Sequence, residues 1–418
     1  MRRSKSENVT ALLIIADDLT GAADTGARFA GCGIATRLLM DWRQDFSTFA
    51  DSVVVVNTDT RHSPPEAAAD RVRQFVAAAS QAGIPALYKK VDSTLRGNVG
   101  VELDAVLDMC PEAAMVFAPA LPPAGRTVRD GIMHVDGVPL AASHVAGDPL
   151  HPIRNSEVQA VLGAQHPVVQ VSLDQLRGSC DIEWTPGGIH VCDAETDADL
   201  AALAGHCRQA GVPLCYAGSA GLAGHLIEGL GLEMQAPPIP AVPKPILAIN
   251  GSMTPVSLEQ VRRGLAGGYG GVRMTAADVL GDDPVAASAI AAARQAGARD
   301  ESLLLYTAAD GAELDSYMHE AQSAGMSTEV FFQRLTVRRT AWTEAMLWAG
   351  QFPTLALFGG LTTEAVLHCL GITDALIKAE IDVGVGVLEV EVAGRTICLV
   401  TKSGGLGRAD LLEYLLQC

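Results

Sequence analysis

Ala11–Ala16 is apolar without a break and ends abruptly in Asp17-Asp18. An uninterrupted apolar run this short predicts a strand buried on both faces, then a turn, then a helix over about Ala22–Ala30. The same grammar recurs: Ser52–Asn57, Ala86–Val91, Ala114–Pro119 and Leu214–Ala217 read as further buried strands. Between them, Pro64–Gly83 carries Ala-rich helical spacing, opened by Ser63-Pro64-Pro65-Glu66 and stopped by Gly83, and Val99–Met109 reads as a second helix. Ile132–Leu140 breaks the rhythm, and its alternation about Val135-Asp136-Gly137-Val138 predicts a hairpin. Five prolines between Gln235 and Pro245 mark a stiff, extended linker. Beyond it the alternation restarts, with Ile246–Asn250, Leu303–Thr307, Thr354–Phe358 and Thr396–Thr401 as strands. The expected fold class is therefore α/β: two doubly wound, mostly parallel-sheet lobes, residues 1–234 and 245–418, joined by linker 235–244. Such lobes favour a ligand cleft between them, at the carboxyl ends of the strands.

Composition narrows the function classes. A chain of 418 residues exceeds one ordinary core, which agrees with two domains. Only 5% of residues are aromatic and the net charge is −18, against a nucleic acid or an anionic membrane as partner. An anionic small substrate would need a local exception, built from a few Lys and Arg and from backbone N–H groups. Nine cysteines without a C-x-x-C pair read as reduced thiols of a cytoplasmic protein, neither a disulfide framework nor a zinc site. The basic segment Met1–Thr10 and the short run after it are too short for a signal core or a span, and no later window reaches the length of a membrane helix.

Candidate chemistry clusters where strands end. In Asp17-Asp18-Leu19-Thr20-Gly21-Ala22-Ala23-Asp24, carboxylates and hydroxyls crowd a strand-to-helix turn. One carboxylate can cap the helix while another faces a metal or a substrate hydroxyl. Lys89-Lys90-Val91-Asp92-Ser93-Thr94-Leu95-Arg96-Gly97-Asn98 is the local basic exception, and Arg61-His62 can join it. Arg126, in the rigid loop Pro119–Thr127, is equally a turn residue or a substrate contact. In the second lobe, glycine-bearing loops at Asn250-Gly251-Ser252, Gly359-Gly360-Leu361-Thr362 and Ser403-Gly404-Gly405 suit phosphate groups. No P-loop, G-x-G-x-x-G turn, H-E-x-x-H or G-x-S-x-G occurs at the places those motifs require. His134, His144 and His151 fit no standard metal spacing.

At these residues the chain resembles the four-carbon acid sugar kinase family. The motifs that carry the resemblance are Asp17-Asp18-Leu-Thr-Gly-Ala-Ala-Asp24-Thr-Gly, Lys89-Lys-Val-Asp92-Ser-Thr-Leu-Arg96-Gly-Asn, Gly218-Ser219-Ala-Gly221-Leu, Gly359-Gly-Leu-Thr362 and Lys402-Ser-Gly-Gly405-Leu-Gly. They run in order along essentially the whole chain. The resemblance implies an N-terminal substrate lobe, a C-terminal nucleotide lobe and ATP-dependent phosphorylation of the terminal 4-hydroxyl of a sugar acid such as D-threonate or D-erythronate. Asp24-Thr25-Gly26 and Ser403-Gly404-Gly405 look more like that branch than the 3-oxo-tetronate 4-kinases, which are the alternative. It implies catalytic roles for Asp17, Asp18 and Arg96, with Thr20, Asp24, Arg61, Lys90, Asp92, Ser93, Thr94 and Gly97 around the substrate. Ser252, Gly359, Gly360, Leu361, Thr362, Ser403, Gly404 and Gly405 would surround ATP. Mg²⁺ is expected with the ATP, its ligands are not identified, and closure over the ligands would exclude water. Two other classes are a binding protein for a small acid and a metal-dependent lyase using Asp17, Asp18 and Asp24. Which of Asp17 and Asp18 faces the reacting hydroxyl is open, as is assembly into a homo-oligomer.

Overall fold

A computed structural model describes residues 10–40, 52–147, 152–178, 182–235, 240–323 and 325–418. His151, Cys180, the start of the chain up to residue 9 and residues 236–239 of the proline-rich stretch lie outside the described residues. The chain divides into two compact units, Met1–Pro237 and Pro238–Cys418.

In the first unit, β1 (Leu12–Ala16) leads through α1 (Leu19–Ala30) to β2 (Thr36–Leu39) and β3 (Val53–Asn57). Next come α2 (Pro65–Gln81), β4 (Ala86–Lys90), α3 (Val99–Met109) and β5 (Ala114–Ala118). A small antiparallel sheet of β6 (Arg126–Arg129), β7 (Ile132–Val135) and β8 (Val138–Pro139) interrupts the alternation. Its β7–β8 turn is the hairpin that Asp136-Gly137 signals, both residues having positive φ (51° and 78°). Then follow α4 (Val158–Leu162), β9 (Val168–Val171), α5 (Leu173–Arg177), β10 (Ile189–Cys192), α6 (Asp197–Arg208), β11 (Leu214–Gly218) and α7 (Ala220–Ala223). The main sheet runs β2-β3-β1-β4-β11-β5-β10-β9, and each neighbouring pair is parallel. Helices on both faces of such a sheet explain why β1 and β3 are buried at every position.

The second unit carries β12 (Ile246–Asn250), α8 (Pro255–Ala266), β13 (Gly270–Arg273), α9 (Ala276–Leu280), α10 (Ala287–Arg299) and β14 (Leu303–Tyr306). It continues through α11 (Gly311–Ser323), α12 (Thr328–Gly350), β15 (Thr354–Phe358) and α13 (Gly360–Cys369). β16 (Asp374–Asp382), β17 (Val385–Val392), β18 (Arg395–Lys402) and α14 (Leu411–Gln417) complete it. Strand order is β13-β14-β12-β15-β18-β17-β16, parallel as far as β18 and antiparallel for the last two pairings. The core joins Ile246, Leu304, Phe358 and Val400 to Val261, Leu411 and Leu415 of the covering helices.

The sequence reading missed β16 and β17. Their burial alternates or is broken by half-exposed positions, so neither presents the continuous apolar run that marks a parallel strand. No helix among the described residues is long and apolar enough to cross a membrane.

Both units share one device. The chain leaves β1 for β2 and β3 on one side and returns to β4 on the other; it leaves β12 for β13 and β14 and returns to β15. Loops after the central strands therefore diverge toward opposite faces, leaving a crevice at the strands' carboxyl ends.

Candidate active site

The register sets Ala16 beside Asn57 of β3 and Lys90 of β4. Residues 17–18, 58–61 and 91–98 therefore emerge together at the first switch point. Arg61 is the hub. Its Nε donates to Asp17 Oδ2 at 2.8 Å and its Nη2 to Asp17 Oδ1 at 3.1 Å. Its Nη1 donates to Asp18 Oδ2 at 2.8 Å, and Asp92 Oδ1 lies 3.6 Å from Nη2. Arg96 grips Asp92 in turn, through Nε at 2.8 Å and Nη2 at 2.9 Å. Burial pushes the Asp17 and Asp92 carboxyls up. Arg61, helped by Lys89 and Lys90 at Asp17 and by Arg96 at Asp92, reverses this and holds both below the usual carboxylate range.

Asp17 and Asp18 differ in what they leave free. The Asp17 side chain is 2% exposed and both its oxygens are taken by Arg61. Asp18 is 21% exposed and caps α1, accepting from Gly21 N at 3.0 Å and Thr20 Oγ1 at 2.7 Å. A Cβ on Gly21 would stand 2.5 Å from Asp18 Oδ1 and 2.7 Å from Lys90 Nζ, so the turn closes only over glycine and brings that amine beside the cap. Lys90 is buried and donates to Val91 O at 2.7 Å. Thr94 is tied to Asp92 through both its N–H and its hydroxyl, Ser93 is half-buried in the same loop, and Gly97 packs on Arg61. Asp24 is buried one turn along α1, where its charge and, more strongly, burial raise the Tyr88 hydroxyl. The predicted residues of the three loops thus meet at this switch point, with Asp24 farther along α1 beside Tyr88, and Thr94 and Asp92 spend their polar atoms largely on the loop itself.

Glu102 escaped the sequence reading, and Lys89 entered it only as part of the basic segment. The two, each 1% exposed, form an ion pair at 2.9 Å beneath the loops, and Thr60 also donates to Glu102. Arg126, left undecided above, is close enough to Asp92 and Arg96 for both charges to act on it; its Nε is buried without a partner. Burial lowers its pKa.

In the second unit, Asn250, Phe358 and Lys402 end three adjacent strands in register. The three glycine loops therefore lie side by side. Gly251 N donates to Phe358 O at 2.8 Å and Gly359 N to Lys402 O at 3.0 Å. The Gly404 carbonyl accepts from Ser252, Thr254, Ser257 and Lys402, which fixes the last loop against the first. Gly251 is pressed onto Thr362, since a Cβ there would fall 1.9 Å from Thr362 Oγ1. Leu361 projects at 62% exposure, and a Cβ on Gly405 would meet open space. Lys402, which the motif included but no role used, is fully buried over the Phe358 ring; burial brings its pKa down to about 7. Arg339 of α12 donates to Thr362 Oγ1 at 3.0 Å. Its signal in the sequence is a cation on the buried stripe Leu335, Arg339, Trp342, Met346.

Among the described residues no three His, Cys, Asp or Glu side chains are grouped to hold a metal ion, and Asp17, Asp18 and Asp92 are turned onto Arg61. A depression of about 470 Å³ beside α8 and α14 is lined by charges that pair with one another, Arg263 with Glu413 and Arg408 with Asp410.

Residues 12–226 match the model of a sugar-binding N-terminal domain, and residues 247–412 that of a nucleotide-binding C-terminal domain. A protein of Salmonella typhimurium named D-threonate kinase is 31% identical over 97% of this chain and 98% of its own. One of Methylobacterium radiotolerans named 3-oxo-tetronate kinase is 29% identical over 97% of this chain and 99% of its own. A crystal structure of a Salmonella typhimurium LT2 protein shares the fold, with a TM-score of 0.79 at 22% identity, over 97% of this chain and 98% of that one.

Proposed function

Because the chain belongs to the four-carbon acid sugar kinase family, we propose that it transfers the γ-phosphoryl group of ATP to the terminal 4-hydroxyl of D-threonate or D-erythronate. That it is a sugar-acid kinase follows from its relatives; the choice of acid is our reading. The observation that carries it is the Arg61 hub with Arg96 beside it, in the domain matched as sugar-binding. With Lys89, Lys90 and Arg126 nearby, it gathers five cationic side chains around the carboxylates, a local concentration of positive groups that suits an anionic substrate in a chain of net charge −18.

Arg126, whose Nε is buried without a partner, has a donor for the substrate carboxylate, and Arg96, 34% exposed, adds its positive charge beside it. Asp18, exposed where Asp17 is not, accepts a hydrogen bond from the attacking hydroxyl and orients it. Asp17, saturated by Arg61, is a positioning residue. Lys90, beside the cap, offsets the carboxylate charge as the anionic acid enters. The loops at Gly251–Ser252, Gly359–Thr362 and Ser403–Gly405 receive the nucleotide phosphates. Mg²⁺ belongs to this reading as the ion that arrives on ATP. Such a transfer needs alignment and charge neutralisation more than covalent help. ATP as co-substrate puts the reaction in the cytoplasm.

A second reading, 3-oxo-tetronate as substrate, is favoured by the full-length match to a kinase of that name. The test is a panel of threonates, erythronates and 3-oxo-tetronate offered to the purified chain with Mg-ATP, followed by ADP release. Turnover is expected with D-threonate or D-erythronate. Absence of ADP with every four-carbon acid, together with no thermal shift from Mg-ATP, would overturn the kinase reading.

A further inference from the structure

Arg339 is 4% exposed, and no charged partner acts on it among the described residues. Its Nη1 bonds the Thr362 hydroxyl in the first turn of α13, and its Nη2 has no hydrogen-bond partner. The Tyr317 hydroxyl of α11, which acts on Arg339 electrostatically, is likewise buried without a partner. Burying a guanidinium with no counter-charge is costly. The position makes it worse, because the start of α13 already presents free N–H groups and the positive end of its dipole. Two positive features are thus brought together at Thr362, the guanidinium buried and the helix start half-open to solvent at Gly360 and Leu361, beside a Gly251 backbone that leaves no room for a side chain. An anion between them would reverse both penalties. Burial alone brings the Arg339 pKa down to about 10, which marks how poorly the present surroundings hold its charge.

We propose that Arg339 is a phosphate-binding side chain of this domain, its Nη2 and the free N–H groups of the first turn of α13 together holding a phosphate oxygen of the nucleotide. This rests on the nucleotide reading of the domain given above. It adds a residue from a different helix, outside the three glycine loops, and says why a cation is buried there. The bond to Thr362 then orients the guanidinium in advance of the ligand.

The full chain separates this role from a structural one. Isothermal titration with ADP, adenosine and inorganic pyrophosphate is compared for the wild type, Arg339→Met and Arg339→Lys, with the melting temperature of each unliganded protein. Arg339→Met should weaken ADP and pyrophosphate roughly 10- to 100-fold, the range for a hydrogen bond to a charged group. It should leave adenosine unchanged and the unliganded melting temperature undiminished, because the cost of the buried charge is gone. Arg339→Lys, which keeps a cation, should fall between, and it carries the test if Arg339→Met does not fold. ADP affinity equal to wild type in both variants overturns the proposal and leaves nucleotide binding intact. A lowered unliganded melting temperature, with adenosine and ADP weakened alike, overturns it in favour of a structural link between α12 and α13. A wild type that ignores ADP but binds pyrophosphate through Arg339 keeps the anion site and removes the kinase reading. One that binds neither removes both.

Discussion

Arg61→Met removes the charge on which three carboxylates converge while keeping much of the buried stem. The guanidinium side chain is 12% exposed, bonds Asp17 twice and Asp18 once, and lies 3.6 Å from Asp92. Removing one partner of a buried pair costs about 3–5 kcal/mol. Lys89 and Lys90 still act on Asp17, and Arg96 keeps its two bonds to Asp92, so the lower end applies, about 3 kcal/mol. For a unit of this size that is a fall of about 6–12 °C in its melting temperature. The pH profile is the more specific signature. In the wild type the folded-state pKa values of Asp17 and Asp92 are depressed, so their stabilisation is present above the unfolded carboxylate value and lost as pH falls through the folded ones. In the variant only Lys89 and Lys90 still oppose the desolvation of Asp17, so its folded value rises and part of the stabilisation present above the unfolded carboxylate value is lost. The deficit should therefore be smallest at acid pH, where these carboxyls are protonated in both proteins, and grow as pH rises toward neutrality. Scanning calorimetry of the full chain at several pH values reads it directly. Adding Asp17→Asn to the variant should recover about 1–2 kcal/mol, because one of the three facing charges is gone. A deficit under about 1 kcal/mol, or one independent of pH, refutes the reasoning.

Asp18→Asn should lower kcat by about 10²- to 10⁴-fold with ADP affinity unchanged, whereas Asp17→Asn should mainly lower stability; equal kinetic losses would contradict the division between them. Lys402→Met bears on a buried amine whose folded pKa, about 7, lies below its unfolded value. In the wild type this group makes stability rise with pH above about 7, by at most about 1.4 kcal/mol per pH unit, as the folded state sheds a proton that the unfolded state keeps. The variant should lose that slope in denaturant titrations between neutral and alkaline pH, and an unchanged slope counts against it. Gly251→Ala puts a methyl group on Thr362 and should cost about 1–3 kcal/mol while abolishing the thermal shift from Mg-ADP; a normal shift would separate this loop from the nucleotide.

Much of this molecule was visible in local pattern. Ile246–Asn250, Thr354–Phe358 and Val99–Met109 form the strands and the helix that their runs and spacing predict, and Asp136-Gly137 makes its hairpin. Polar clusters directly after buried strands pointed to the loops that meet at the two switch points, because an apolar run must end where the chain leaves the sheet. β16, with alternating burial, and β17, whose apolar run is broken by Glu389 and Glu391, were invisible to that signal. What the sequence determined by itself was which segments lie inside and where the chemistry-bearing loops begin, since burial and backbone preference are written residue by residue. Tertiary structure alone decided which polar groups find each other. Arg61 reaches Asp17 across 44 residues, leaving Asp18 the exposed carboxylate, and Arg339 meets Thr362 across 23. Those pairings depend on sheet order and register, which bring distant strand ends within a side chain's length, and no local pattern of hydrophobic and polar residues encodes that distance.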